Sequence, residues 1–162
     1  MNTTIFLDLE DTVIEPITTS WSRLVAKNVI QVKNWINDLN PSEINIFSFA
    51  IHDDREVMNF SRSGARAFVE DFLSIRINRI IAVEQMIDAF VVGKRLTPGT
   101  VDFTDFVYMV GKQHAFPTFI RQTATESDHQ FVLLDDTVFN ETIELVPAII
   151  KIKNVGDLCQ QT

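Results

Sequence analysis

Two apolar runs of this chain each end in a cluster of carboxylates, and this pattern constrains the fold more than any other feature of the sequence. The first run, Ile5–Leu7, leads into acids at positions 8, 10 and 11, and the second, Phe131–Leu134, leads into acids at positions 135 and 136. Short apolar runs of this kind are typical of strands that are buried on both faces of a parallel sheet. Because ligands bind at the carboxyl edge of open α/β sheets, we expect one acidic pocket built from both strand ends.

Strand-like and helix-like segments alternate along the rest of the chain. We expect strands at residues 3–9, 44–50, 79–83 and 131–134, short edge strands at 143–145 and 148–152, and helices at 28–39 and 53–73. Within residues 102–124, the spacing of apolar residues predicts one amphipathic helix and then a second at 117–123. The alternation predicts an α/β fold with a three-layer, Rossmann-like parallel sheet and helices on both faces.

Local signals indicate where the first helices begin and end. Asn28 is a candidate N-cap of the first helix, and Asn40, which precedes a proline, is expected to stop it. Asp53 or Asp54 is expected to cap the second helical stretch, with a candidate break at residues 63–64.

Length, charge and cysteine content limit the classes of function. The chain has 162 residues and a formal net charge of −8, which fits one domain over residues 1–162 and argues against a broad nucleic-acid-binding surface. The single cysteine, Cys159, excludes an intrachain disulfide and fits a reducing, cytoplasmic location. We expect no signal peptide, because strand-like sequence begins by residue 3. We expect no membrane partner, because no apolar run approaches the ~20 residues of a membrane span.

The acidic segments resemble the motifs of a known family. Residues 8–13, Asp-Leu-Glu-Asp-Thr-Val, are similar to the first motif of the haloacid dehalogenase-like (HAD) superfamily, in which an apolar strand leads into Asp-x-Asp-x-Thr or Val. Ser48 stands where the family has its second-motif Ser or Thr, and Asp136 followed by Asn140 resembles the fourth motif. The short segments between these motifs leave room for a minimal cap domain or none, as in a small capless phosphatase.

The resemblance implies a set of catalytic residues. Asp8 would be the nucleophile that attacks phosphorus and forms an aspartyl-phosphate, and Ser48 would hydrogen-bond the phosphate. A lysine would balance the charge of the nucleophile and the phosphate. Lys112 is the preferred candidate because its spacing to the fourth motif is like that of the family, and Lys94, which has a proline nearby, is the alternative.

The resemblance also implies a magnesium site. Asp8, Glu10, Asp135 and Asp136 are the expected ligand residues for Mg²⁺, a hard cation that prefers oxygen ligands, and Asn140 is expected to tune the site. The cation would neutralise the repulsion between several carboxylates and a phosphate dianion.

Glu10 departs from the family pattern. Phosphatases of the family usually carry Asp two residues after the nucleophile, as the general acid and then the general base. Glutamate can also transfer a proton, but its extra methylene moves the carboxyl group by more than ~1 Å, and a misplacement of that order can cost about a hundredfold in rate. The site could therefore belong to a working phosphatase with a shifted acid, to a slow one, or to a protein that keeps the pocket without turnover.

Three functions follow from these observations. The leading hypothesis is a Mg²⁺-dependent phosphomonoester hydrolase acting on a phosphorylated substrate such as a nucleotide or a nucleic-acid end. The alternative is a catalytically weak or inactive HAD-like protein that binds a metal, a phosphate or a protein partner through its acidic pocket. A phosphoacceptor switch domain fits less well, because its nucleophile lies on a middle strand, whereas the second acid cluster here comes after residue 130. Residues 52–55 follow Ser48 and could reach a substrate from the pocket rim.

Overall fold

The computed structural model describes residues 1–17, 20–145 and 147–160, which fold as an α/β protein with a six-stranded, mostly parallel sheet. The strands are β1 (Asn2–Leu7), β2 (Glu43–Phe47), β3 (Arg79–Ile81), β4 (His129–Asp135), β5 (Glu141–Leu145) and β6 (Ala148–Asn154). The helices are α1 (Val29–Leu39), α2 (Asp54–Arg62), α3 (Ala65–Leu73), α4 (Val83–Gly93), α5 (Phe103–Asp105), α6 (Gly111–Thr123) and α7 (Val155–Cys159), with a π-helical turn, Phe106–Val110, between α5 and α6.

Strand β1 lies inside the sheet, whose order is β3-β2-β1-β4-β6-β5. It pairs in parallel with both β2 and β4, and β4 pairs in parallel with β6. Strand β5 runs antiparallel to β6 at one edge, so the wholly parallel sheet predicted from the sequence is wrong at this edge. The sequence explains the difference. Only two residues separate Leu145 from Ala148, and a connection this short can join antiparallel strands, whereas parallel neighbours need a long crossover.

Alternate residues of β1 pack on opposite faces of the sheet, as expected of a strand that is buried on both sides. Ile5 and Leu7 belong to an apolar cluster with side chains of α1, α2, α3 and α7, whereas Phe6 belongs to a second cluster with side chains of α4 and α6. The ring centroid of Phe6 lies 5.1 Å from that of Phe116 in α6. Packing on both faces fixes the position of β1, and with it the position of the residue that follows the strand.

Several local expectations are confirmed. The side chain of Asp53 caps α2 by accepting a hydrogen bond from the N–H group of Glu56 at 3.0 Å. The helical stretch breaks before α3, where Gly64 has a φ of 87°, a left-handed conformation that glycine adopts without strain. Helix α1 ends before Asn40, which is also left-handed.

Two expectations about helix ends need correction. Asn28 is the N-cap residue of α1, as expected, but its side chain makes no cap hydrogen bond; Nδ2 instead donates to the carbonyl of Thr12 at 3.0 Å and ties α1 to the loop after β1. The helix expected at 117–123 begins at Gly111 and continues through Pro117. Burial of Phe116 and its neighbours against the sheet stabilises this helix despite the hydrogen bond that the proline cannot donate.

Strand positions also differ from the sequence prediction. The sequence predicts β6 as an edge strand, but it lies between β4 and β5, and Ile150 and Ile152 are buried in the cluster around Phe6. Strands β1 and β2 end earlier than expected, so Asp8 and Ser48 are the first residues beyond them.

Immediately after Asp8 the chain turns tightly rather than continuing as an extended strand. The carbonyl of Leu9 accepts hydrogen bonds from the N–H groups of residues 12–14. Residues 10–17 and 20–27 then form an excursion with antiparallel pairing, which we call the flap. Among the residues that the structure describes, no helix is long and apolar enough to cross a membrane.

Candidate functional site

The carboxyl ends of three neighbouring strands bring candidate site residues together. Asp8 follows β1, Ser48 follows β2, and Asp135 is the last residue of β4, with Asp136 directly after it. The N–H group of Asp8 donates to the carbonyl of Leu134 at 3.0 Å, which continues the pairing of β1 and β4 to the edge of the sheet. The acidic pocket expected from the two apolar runs therefore lies at this edge.

Lys112, near the start of α6, lies between two of these carboxylates. Its Nζ is 2.6 Å from Asp8 Oδ1 and 2.5 Å from Asp135 Oδ2, and all three side chains are buried. Burial by itself lowers the pKa of Lys112, but the negative charges of Asp8 and Asp135 outweigh it and hold the pKa above the ordinary 10.5. Lys112 is therefore a buried cation of the site, whereas Lys94 is exposed at the end of α4.

Asp8 is buried, and each oxygen of its side chain accepts a hydrogen bond from a described residue. Oδ1 accepts from Lys112, and Oδ2 accepts from the hydroxyl of Thr12 at 2.9 Å. Burial raises the pKa of Asp8 to about 7; the charge of Lys112 opposes this rise and the charge of Asp135 adds to it. Without a bound cation, the carboxyl group of Asp8 therefore exchanges its proton near neutral pH.

The two acids at the end of β4 differ in what they can bind. Both oxygens of Asp135 are occupied, because Oδ1 accepts from the N–H group and the hydroxyl of Thr137, each at 2.8 Å, and Oδ2 accepts from Lys112. Asp136 is half-buried and lines the cleft beside Asp8. Burial raises the pKa of Asp136, and the charge of Asp135 adds to this rise. Asp135 thus holds Lys112 in place, whereas Asp8 and Asp136 line the cleft and can face a ligand.

The carboxylates of Asp8, Asp135 and Asp136 lie close enough together to hold a cation. One oxygen of each lies within 4.8 Å of the other two. When ionised, three carboxylates against the one ammonium of Lys112 leave two negative charges, which a divalent cation neutralises. All three donors are oxygens, the ligands that hard cations prefer. The residues present therefore fit a divalent cation.

A cleft of about 320 Å³ opens above the acids, and Ser48, Phe49 and Lys112 line part of it. Ser48 Oγ accepts a hydrogen bond from the N–H group of Ala50 at 3.2 Å, which leaves its hydroxyl proton free to donate to a ligand. The ring centroid of Phe49 lies 4.9 Å from Lys112 Nζ, a cation–π distance. The cleft therefore offers a hydroxyl donor and an ammonium donor next to the carboxylates.

Glu10 lines the same cleft, but its carboxylate is not among the three that lie within 4.8 Å of one another. Oε2 of Glu10 accepts a hydrogen bond from the N–H group of Ile17 at 2.9 Å, within the flap. Its roles as a metal ligand and as a proton-transfer group stay predictions. Asp11 has a φ of 63° in the turn after β1, and its carboxylate pairs with Lys27 of the flap at 3.0 Å.

Asn140 lies outside the cleft. Its Oδ1 accepts from the N–H group of Asn154 at 2.7 Å, and its Nδ2 donates to Asp157. The side chain of Asn154 donates in turn to the carbonyls of Asp136 at 3.2 Å and Val138 at 2.8 Å. Asn140 is therefore linked to the loop of Asp136 through Asn154.

Sequence reasoning assigned no role to four side chains that support the site. Thr12 and Thr137 belong to the acidic segments themselves, so their nearness in sequence to Asp8 and Asp135 is a usable signal. Phe49 and Asn154 carry no such signal, because their partners lie on other elements.

Comparison with known proteins assigns no family or function to this chain. No protein-family model, curated protein or solved structure matches the chain. The chemistry of the site itself is therefore the basis for a functional inference.

Proposed function

We propose that this chain is a Mg²⁺-dependent phosphomonoester hydrolase of the HAD type, built on a three-layer Rossmann-like fold and acting through an aspartyl-phosphate on Asp8. The observation that carries the proposal is the buried contact of 2.6 Å between Asp8 and Lys112, at the floor of a cleft that Ser48 and Asp136 also line. A buried carboxylate that a lysine orients and that faces a cleft is arranged as a nucleophile. The substrate is a phosphorylated molecule such as a nucleotide or a nucleic-acid end.

The proposed reaction has two displacement steps. In the first, a carboxylate oxygen of Asp8 attacks phosphorus, the bond from phosphorus to the leaving oxygen breaks, and Glu10 donates a proton to that oxygen. In the second, Glu10 takes a proton from water, the water oxygen attacks phosphorus, and the bond between phosphorus and Asp8 breaks to release phosphate. Ser48 and the third N–H donor of Lys112 hydrogen-bond the phosphoryl oxygens in both displacements.

Asp8 and Asp136 would hold the Mg²⁺ ion, which supplies positive charge to the phosphoryl oxygens and to the carboxylates when it is bound. Asp135 accepts a hydrogen bond from Lys112 and so keeps the ammonium group beside Asp8. Without a cation, a phosphate dianion would meet ionised carboxylates at short range, so activity should require the metal.

Phosphate release tests the proposal. The substrates are a chromogenic phosphomonoester, a panel of nucleotides, and oligonucleotides phosphorylated at the 3′ or 5′ end. We expect turnover that needs Mg²⁺, stops with a chelator, and falls by about 10³-fold or more in Asp8→Asn. Asp38→Asn makes the same change on the exposed surface of α1 and should leave turnover unchanged. Turnover that persists in Asp8→Asn, or no turnover of any substrate, would contradict the proposal.

One observation supports a second candidate function, a pocket that binds a metal and a phosphate with little or no turnover. The carboxylate of Glu10 is engaged with the N–H group of Ile17 in the flap, at 2.9 Å, so part of its hydrogen-bonding capacity is used for structure. A proton-transfer group must instead reach the leaving oxygen of the substrate.

The variant Glu10→Asp separates the two candidates. A large gain in turnover would mean that glutamate has weakened an ancestral activity, whereas a loss would mean that Glu10 is the proton-transfer group of a working site. Glu15→Asp is the matched control, because Glu15 is an exposed acid of the same flap and lies 3.9 Å from Lys27. A change of the same size in both variants would show that the flap, rather than proton transfer, is responsible.

A further inference from the structure

Aromatic and apolar side chains line part of the cleft, and we call this part the wall. Phe49, Phe103 and Val107 belong to it, in the same lining as the acids. Phe103 begins α5 and is 36% exposed, whereas the phenylalanines of the sheet and of α6 are buried. The cleft therefore has an exposed aromatic ring in its lining.

The ring of Phe103 is held in place by its neighbours. The centroid of the His52 ring lies 4.2 Å away, with an interplanar angle of 51°. The side chain of Asp102 caps the short helix that carries Phe103 by accepting from the N–H group of Asp105 at 2.8 Å. An aromatic ring that is already positioned can stack on a ligand with little further loss of conformational entropy.

The charges of the cleft restrict the group that this wall can accept. Asp8, Glu10, Asp11 and Asp136 line the cleft, and Lys112 is the one basic residue of its described lining. Lys27 compensates Asp11 at 3.0 Å, and with Asp135 included the other four carboxylates exceed the combined charge of Lys112 and a divalent cation. A leaving group with further negative charge would therefore be repelled, whereas an uncharged ring would not.

We propose that the site takes phosphomonoesters whose leaving group carries an uncharged planar aromatic ring, and that this ring packs against Phe103 in the cleft. The inference rests on the proposed function and narrows its substrate class. The volume of about 320 Å³ is at the lower end for small-molecule sites and suits a mononucleotide better than a nucleic-acid chain. A nucleoside monophosphate and a simple aryl phosphate share this chemistry.

Binding of non-hydrolysable phosphonates tests the inference on the parent protein with Mg²⁺. The probes are the phosphonate analogues of adenosine 5′-monophosphate and of ribose 5-phosphate, which differ only in the ring, together with phenylphosphonate. We expect the adenosine analogue to bind about tenfold more tightly than the ribose analogue, the scale of one stacked base. Tight binding of phenylphosphonate as well would identify simple aryl esters as a source of the ring.

Variants at Phe103 locate the contact. Phe103→Leu keeps an apolar side chain but removes the ring, so it should reduce the tenfold preference to near unity and leave the affinity for the ribose analogue unchanged. Phe103→Trp should retain the preference. Tyr108→Leu is the matched control, because Tyr108 is an exposed aromatic of the neighbouring π-helical turn that does not line the cleft.

The outcomes separate this inference from the proposed function. Equal affinity for the adenosine and ribose analogues, or an equal loss for both in Phe103→Leu, would overturn the inference even if phosphate release establishes the phosphatase. Ring-dependent binding without hydrolysis of any ester would contradict the phosphatase and leave the aromatic site standing. Failure of every phosphonate to bind would overturn the inference, and phosphate release would still decide the proposed function.

Discussion

At the scale of single residues, the site places a lysine between two carboxylates that are buried with it. Burial of one unpaired charge is costly, and the ammonium of Lys112 compensates only part of the charge of Asp8 and Asp135. The pKa of Asp8, raised to about 7 by burial, reflects this incomplete compensation. The same feature prepares the site for a cation, because a bound metal would stabilise the ionised form of Asp8.

The raised pKa of Asp8 predicts how stability depends on pH in the metal-free protein. The ordinary pKa is 3.8 and the folded value is about 7, so the folded state binds the proton more tightly than the unfolded state. The stabilisation is complete below pH 3.8 and is lost as the pH rises through 7. Between about pH 6 and pH 8, the free energy of unfolding should fall by about 1 kcal/mol from this group alone.

Denaturant unfolding of the parent and of Asp8→Asn, both in a chelating buffer, measures this contribution. Asparagine can accept from Lys112 and donate to Thr12, but it does not titrate, so its unfolding free energy should lack this decrease. Other titrating groups are common to both proteins and cancel in the difference. Parallel pH profiles for the two proteins would show that Asp8 is ionised throughout this range.

At the scale of secondary-structure elements, the last residue of β6 is hydrogen-bonded to the loop that carries Asp136. Oδ1 of Asn154 caps α7 by accepting from the N–H group of Gly156 at 2.7 Å. Nδ2 of the same side chain donates to the carbonyls of Asp136 and Val138. One side chain thus joins β6, α7 and the loop after β4, which places Asp136 beside Asp8.

We predict that Asn154→Ala loses both functions of this side chain. Unfolding should become easier by about 1–2 kcal/mol, because the cap of α7 and two carbonyl partners are lost. Mg²⁺ affinity should fall as well, since the loop of Asp136 is no longer held. Denaturant unfolding and calorimetric titration with Mg²⁺ measure the two effects.

The variant Asn154→Ser distinguishes the cap from the loop contact. Serine caps helices but has no amide group to reach the carbonyls of the loop. We expect it to recover most of the stability lost in Asn154→Ala and little of the Mg²⁺ affinity. Full recovery of metal affinity in the serine variant would mean that the loop does not depend on the amide of residue 154.

At the scale of the whole molecule, a cation that binds only the folded protein stabilises the entire fold. The three acids come from two strand ends that are adjacent only after the sheet has formed, through the pairing of β1 with β4. Binding of a metal by these acids would therefore be coupled to folding. Two expectations from the sequence, a single domain over residues 1–162 and a cytoplasmic location, stay predictions.

We predict that Mg²⁺ raises the free energy of unfolding of the parent protein, by about 2.7 kcal/mol when its free concentration is a hundred times the dissociation constant. Thermal unfolding with and without Mg²⁺ measures this shift. Asp136→Asn should abolish most of the shift, whereas Asp38→Asn, which removes an exposed carboxylate from α1, should retain it. An equal shift in both variants would mean that the cation binds elsewhere.

The positions of the acids could be predicted from sequence because the relevant physics is local. An apolar run long enough for a buried strand ends where the first charged residue appears, and parallel strands end at the same edge of the sheet. Asp8, Ser48 and Asp136 therefore reach the pocket as predicted, and the spacing that favours Lys112 over Lys94 agrees with the contact to Asp8.

What each side chain contacts was decided only by the tertiary structure. Both oxygens of Asp135 are occupied, Glu10 bonds to the flap, and Phe103 forms a wall of the cleft. These outcomes depend on donors from distant segments, such as Lys112 from α6, and on a tight turn that replaces the expected extension of β1. The apolar pattern of the sequence thus determined where the site lies, whereas packing between elements distant in the chain determined which hydrogen-bond partners its carboxylates have.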